Sequence, residues 1–394
     1  MRTPYYLIDE AALVRNLEIL KSVSDRAGVK ILLAQKAFSC AAVYPLCAKY
    51  LAGTTASSLF EAKHGHDNFG GETHVFAPAF IPEEMDELLG LVDHIVFNSP
   101  RQVALYGEKV RAHGVSVGLR VNPEVSVATT PAYDPCRPGS RLGTTRGAWD
   151  RECSQIAIDT IVHKSQISIA ALVDGLHFHC LCEQGVEELR KVLVGFEEKF
   201  GDLLPQMKWV NFGGGHHITR ADYDVDGLVA LLNDFRARHP HLTVYLEPGE
   251  AIALNAGTLV SRVLEIQPPD ADGIANAILD TSAACHMPDV LEMPYTPRAR
   301  IENVNCKMEN GATPYTYRFG GPTCLAGDTI GTYSFARPLQ EGDRIVFEDM
   351  AIYSMVKNNT FNGVNLPDIV LRHVDGTEET LCRFGYDDFA VRLG

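Results

Sequence analysis

Ile31-Leu32-Leu33-Ala34-Gln35-Lys36-Ala37 places a lysine directly behind a short, wholly apolar run. A run of that length, apolar at every position, reads as a strand buried on both faces, the kind found in parallel sheets. A lysine amine is a poor nucleophile while protonated. Desolvation at the end of a buried strand would release it as the free base that attacks an aldehyde. The plainer reading of Lys36 by itself is a lysine snorkelling from a strand edge. What lies further along the chain decides between the two.

Working outward, the same arrangement recurs. Strands are expected at 29–34, 73–76, 94–96, 115–121, 171–179, 209–212 and 242–246, with amphipathic stretches at 84–91, 100–113, 186–200 and 225–238 between them. Such alternation over some 250 residues fits either a doubly wound sheet or a closed α/β barrel. The distinctive residues favour the barrel. Lys36, Asn98, Arg120, His179, Gly213, Gly214, Gly215 and Glu247 all fall at or just past the C-terminal ends of expected strands. In a (β/α)8 barrel of the TIM type those ends converge on one mouth, whereas a doubly wound sheet gathers its site from fewer crossovers. The barrel is expected over 10–257. Beyond it, short strand-like segments at 259–266, 274–280, 316–319, 344–348 and 381–383 indicate an antiparallel β domain over 258–394, joined by residues 1–9.

The chain of 394 residues carries a formal net charge of −15, with 46% hydrophobic and 22% charged residues. That composition is ordinary for a globular protein with a sizeable core. The negative charge argues against nucleic acid as a partner and favours cationic small molecules. Ten cysteines are scattered, the closest pair being Cys180-Leu181-Cys182, too tight for a zinc or redox CxxC. Reduced thiols, no signal peptide and no membrane-spanning run are the expectation, hence a cytoplasmic protein.

Four features carry chemistry. Asn211-Phe212-Gly213-Gly214-Gly215 lets the backbone turn sharply and aim successive N–H groups at an anion such as a phosphate. It matches neither the Walker A pattern nor the dinucleotide fingerprint. Glu247, in Leu246-Glu247-Pro248-Gly249, sits in a rigid turn where a carboxylate could keep a heteroaromatic nitrogen protonated or could simply cap a helix. His177 and His179 share one strand face, where one imidazole could lie against an aromatic cofactor or belong to the core. Together with His216-His217 they invite a metal reading, but no carboxylate or cysteine spacing supports one, so no metal is expected. An amine for an aldehyde, glycines for a phosphate, a carboxylate for a ring nitrogen and an imidazole for a ring face are the inventory for pyridoxal 5'-phosphate.

On these motifs, with Gly320 to Asp328 and Glu348 to Gly363, the chain resembles the barrel-type pyridoxal-phosphate decarboxylases. That group includes the ornithine, arginine and diaminopimelate decarboxylases and has an alanine racemase-like fold. The likeness is strongest to its carboxynorspermidine decarboxylase branch. The resemblance implies that Lys36 bonds covalently to the cofactor aldehyde, that His179 stacks on its ring and that Glu247 holds its nitrogen. It implies that Gly213, Gly214, Gly215 and Tyr353 hold the phosphate, with Cys182 where relatives often have a phosphate-binding serine. Cys324, in Gly321-Pro322-Thr323-Cys324, matches the cysteine that family dimers donate across the subunit interface to protonate the product, which implies an obligate homodimer with shared active sites.

Two departures point to the substrate. Diaminopimelate decarboxylases carry arginine after Glu-Pro-Gly, and here Glu250 stands in its place, suiting an ammonium rather than a carboxylate. In Cys285-His286-Met287-Pro288-Asp289 the acidic residue is spaced differently from ornithine decarboxylases, leaving Asp289 and Glu292 as candidates for a distal ammonium. The implied substrate is a cationic carboxylated polyamine: carboxynorspermidine, giving norspermidine, or carboxyspermidine, giving spermidine. The two differ by one methylene, worth only about 1–3 kcal/mol of discrimination. The alternatives are a meso-diaminopimelate decarboxylase, an amino-acid racemase and a catalytically silent homologue.

Overall fold

In the computed structural model, which describes residues 1–162, 169–303 and 315–394, the apolar run before Lys36 is one stave of a closed barrel. The chain divides into one unit of residues 16–252 and another of residues 1–15 with 253–394. The first strand, β1 (Tyr5–Asp9), belongs to the second unit. The barrel unit contains β2 (Lys30–Ala34), β3 (Gly53–Ala56), β4 (Glu72–Phe76), β5 (His94–Phe97), β6 (Ser116–Arg120), β7 (Gly175–His177), β8 (Trp209–Asn211) and β9 (Thr243–Leu246). Each pairs in parallel with the next, and β9 returns to β2 through Lys30↔Tyr245 and Ile31↔Leu246.

Leu32, Val96, Trp209 and Tyr245 form one packed cluster of the barrel unit. Trp209 dictates the residues facing it. A Cβ at Gly175 would lie 2.0 Å from its ring and one at Gly118 2.6 Å, so both neighbours must be glycine. The intervening helices begin where side chains cap them, with Ser58, Ser99 and Asp224 accepting from the Glu61, Gln102 and Gly227 N–H groups. The helix Val186–Phe200 buries Leu189, Val192, Leu193, Phe196 and Phe200 at helical spacing.

The second unit is a mixed sheet of nine strands among the described residues. To β1 it adds β10 (Gly257–Ile266), β11 (Ala275–Leu279), β12 (Ala299–Ile301), β13 (Tyr315–Gly320), β14 (Thr329–Phe335), β15 (Arg344–Glu348), β16 (Asp368–Arg372) and β17 (Glu378–Cys382). Its order is β14-β13-β11-β10-β1-β16-β17, with β15 on β10 and β12 on β15. Most pairings are antiparallel, as expected, but β1 runs parallel to β16 and β11 parallel to β13. Tyr5, Leu7, Val260, Val346 and Val370 are its core where β1 inserts.

Candidate active site

Lys36 lies two residues past the end of β2, at the C-terminal mouth of the barrel. Buried Gln35 fixes the turn: its N–H donates to Thr55 O at 3.1 Å, and its amide donates to Glu61 O at 2.8 Å. A cavity at the mouth is lined by Lys36, Phe76, Arg120, His177, His179 and Glu247, among others. The Lys36 side chain is open to that cavity, yet dense protein around its amine depresses its proton affinity. Burial is the largest cause and Arg120 adds to it, while Glu247 and Glu61 oppose it. An amine at a barrel mouth with a depressed pKa is poised to act as a nucleophile.

Asn211, fully buried at the end of β8, donates Nδ2–H to Glu247 Oε1 at 2.7 Å and accepts from the Gly213 N–H at 2.8 Å. The second bond fixes which way the amide points. Glu247 thus has one oxygen committed and the other near His177 Nε2, at 3.8 Å. Arg120, at the end of β6, lies 4.5 Å over the Phe76 ring and donates to His179 O at 3.2 Å. His179 Nδ1 accepts from the Gly214 N–H at 2.8 Å, so its proton sits on Nε2. Burial and the charges of Lys36 and Arg120 push its pKa well down, which keeps the ring neutral.

The glycine turn differs from the expected nest of three converging donors. Positive φ at Gly213 (+68°) and Gly215 (+81°) swings the chain back on the strand ends. The Gly213 and Gly214 N–H groups are thereby consumed by Asn211 and His179, and Gly215 is left as the donor with no partner among the described residues. Cβ atoms would collide here too, at 2.4 Å from Glu247 O for Gly214 and 2.1 Å from Leu181 O for Gly215. Glycine is required for close backbone approach. The strand spacing could not show that two of the three donors serve the site's own side chains.

Cys182 donates its N–H to Gln184 Oε1 at 2.7 Å. Burial, with Glu183 and Glu250 nearby, pushes its thiol up to about 12, so it stays protonated. Glu250 Oε2 lies 3.3 Å from His217 Nε2; burial lowers the His217 pKa, but its bond to Glu250 and that charge outweigh this and raise it.

The remaining expected residues lie on the second unit. The N–H of exposed Cys324 donates to Asn362 Oδ1 at 2.8 Å. Tyr353 adopts φ +51°, a strained conformation for an aromatic residue. Asp289 and Glu292, the candidates for a distal ammonium, both accept from the Lys357 ammonium. That internal cation, distant in sequence, is what the reading of the loop missed. Sequence reasoning also gave no role to Asn211 or Arg120, although Arg120 carried the positional signal of a strand end.

The set fits pyridoxal phosphate on its own geometry. An amine that readily loses its proton faces a half-committed carboxylate across a cavity bordered by a neutral imidazole, and beside it runs a turn where no side chain can stand. The comparisons agree. The family model described as "Pyridoxal-dependent decarboxylase, C-terminal sheet domain" matches residues 6–351. The chain is 40% identical over 393 residues to the carboxyaminopropylagmatine decarboxylase of Synechocystis sp., covering 100% of this chain and 95% of that one. It is 40% identical over 402 residues to the carboxynorspermidine/carboxyspermidine decarboxylase of Campylobacter jejuni, covering 100% and 98%. The crystal structure of carboxynorspermidine decarboxylase complexed with norspermidine, also from Campylobacter jejuni, superposes with a TM-score of 0.86 over the whole of both chains, at 40% identity. The chain belongs to the pyridoxal-dependent decarboxylase family, and pyridoxal phosphate is its cofactor.

Proposed function

We propose that this protein decarboxylates carboxynorspermidine to norspermidine and carboxyspermidine to spermidine, as a cytoplasmic homodimer with shared active sites. Full-length 40% identity to the Campylobacter jejuni carboxynorspermidine/carboxyspermidine decarboxylase carries the reading. Acidic Glu250, near Cys182 and 3.3 Å from His217, and the chain's net charge of −15 support it. Among the described residues no helix is long and apolar enough to cross a membrane.

The bound cofactor supplies a conjugated, protonated ring that accepts the electron pair released as CO2 departs. The chain does the rest. Lys36, its proton affinity lowered chiefly by burial, would form the covalent link to the cofactor aldehyde. Glu247, fixed by Asn211, would hold the ring nitrogen and favour its protonated form. His179, whose Nδ1 grips the glycine turn so that its proton sits on Nε2, would hold the ring face as a neutral imidazole. Gly213, Gly214, Gly215 and Cys182 would surround the phosphate, with the Gly215 N–H as the donor that has no partner among the described residues, and the family resemblance adds Tyr353. Cys324 delivers the proton to the α-carbon. Glu250 attracts a substrate ammonium, and Asp289 and Glu292 accept the distal one only if it displaces Lys357.

A second reading has its own observation. The Synechocystis carboxyaminopropylagmatine decarboxylase is equally similar, again over the full length. Its substrate's name points to a guanidine in place of a terminal amine, which would also favour an acidic pocket. The deciding experiment is a product assay by mass spectrometry with the cofactor-loaded protein. It offers carboxynorspermidine, carboxyspermidine, carboxyaminopropylagmatine, meso-diaminopimelate, ornithine and arginine at one concentration. Preferential release of norspermidine or spermidine is expected. Preference for carboxyaminopropylagmatine would establish the second reading, and preferential formation of lysine would overturn both.

A further inference from the structure

His177, the last residue of β7, lies opposite Asn211 of β8 in the barrel register. The two side chains bracket Glu247. Asn211 holds Oε1 at 2.7 Å, and His177 Nε2 stands 3.8 Å from Oε2. The imidazole is only 2% exposed, and neither of its nitrogens has a hydrogen-bond partner among the described residues. Buried polar groups are normally paired, so such an exception asks for a reason.

The charged groups around the ring give one. Arg120 from β6, Lys36 after β2 and His74 from β4 face it as cations or potential cations, and Glu247 faces it as the anion. Burial first, then Arg120, Lys36 and His74, push its pKa well below the ordinary imidazole value. The neutral form still keeps one N–H. A charged ring would instead pair with Glu247 and cancel the negative charge that a protonated ring nitrogen needs.

We propose that His177 is a positioning residue: a neutral imidazole whose Nε2–H supports Glu247 Oε2, so that the carboxylate, clamped at Oε1 by Asn211, presents Oε2 to the nitrogen of the cofactor ring. The inference rests on the cofactor reading above. An oxygen has two lone pairs, so Oε2 can accept from the ring nitrogen and from His177 together. A small movement closes the 3.8 Å gap. Without the imidazole the carboxylate is free to rotate about its Asn211 bond, and the proton on the ring nitrogen is held less firmly.

The test compares His177→Leu, His177→Gln and His177→Asn in the reconstituted holoenzyme. The readouts are the visible absorbance of bound cofactor against pH, and kcat and KM separately. The leucine variant is expected to bind cofactor, lose about tenfold in kcat with KM within about twofold, and shift the pH dependence of the visible band by about one unit. Glutamine carries its N–H where Nε2 stood and restores kcat to within about threefold. Asparagine reaches only the Nδ1 position and behaves like leucine. An unchanged visible band in the leucine variant would overturn the inference. So would equal behaviour of glutamine and asparagine, a comparison that stands even where the leucine variant fails to fold. Failure of the unmodified protein to take up cofactor would count against the cofactor reading and not against His177.

Discussion

Replacing Asn211 with aspartate exchanges one NH2 group for an oxygen and changes almost nothing else. The acceptor for the Gly213 N–H is retained, but the donor that holds Glu247 Oε1 at 2.7 Å becomes a second carboxylate oxygen. Two charges at that separation repel by about 6 kcal/mol at an effective dielectric constant near 20. The pair escapes by sharing a proton, and its upper apparent pKa rises by about four units, above neutrality. The sign of the stability effect follows. Above about pH 4 the unfolded chain releases a proton that the folded variant retains, so the deficit grows as pH rises and levels off beyond the raised pKa. It should increase by about 1.4 kcal/mol per pH unit and exceed that at pH 4 by about 4 kcal/mol at neutral pH. Urea denaturation followed by tryptophan fluorescence measures it, because Trp209 stands within the barrel unit. A deficit that stays constant from about pH 5 to pH 8 would show that Asn211 and Glu247 are not coupled as described.

Three further outcomes are expected. Lys36→Ala should abolish turnover and the covalent attachment of cofactor trapped by borohydride reduction, with an unchanged circular dichroism spectrum; residual turnover near the original rate would remove Lys36 from its role. Gly175→Ala should destabilise the barrel by about 3 kcal/mol or more through its 2.0 Å collision with Trp209, whereas Gly327→Ala, with open space around it, should stay within about 0.5 kcal/mol by thermal denaturation. Glu72 is pushed up by burial, but bonds from His74, Lys30 and Tyr245 outweigh that and hold it at about 2. Its stabilisation is therefore complete above its unfolded value and fades as pH falls from about 4.5 towards 2, so Glu72→Gln should cost about 1–2 kcal/mol at neutral pH and almost nothing at the acid end of a pH–stability curve.

The barrel was legible because its active residues sit at strand ends, which is a matter of position rather than composition. Where a strand lacks apolar residues the signal fails. Gly53-Thr54-Thr55-Ala56 forms β3, buried throughout, yet nothing in it is large and apolar. Its first residue is glycine because a Cβ would lie 1.9 Å from Glu72 O, a constraint set by a neighbouring strand. An apolar run misleads in the opposite direction. The strand expected over 171–179 is three residues long, Gly175–His177, and Leu172 ends a short helix. In the site, residue types announced Lys36 and Glu247, but not the bonds that set their behaviour. Asn211 bridges two loops, and Lys357 reaches Asp289 across 68 positions of sequence. Partnerships of that span are products of folding and leave no local trace.

The position of β1 has a consequence for how the chain is made. Tyr5–Asp9 is synthesised ahead of the other described strands, but its two neighbours are Gly257–Val260 on one side and Asp368–Arg372 on the other. This strand must therefore wait, with both edges open, for some 250 residues to be synthesised before it finds its first partner and over 100 more before it finds its second. Every stave of the barrel is translated within that interval. Open strand edges invite pairing with other chains, so nascent molecules are most exposed to aggregation while β1 is idle. A chain that terminates prematurely anywhere before Asp368 carries that exposed edge permanently.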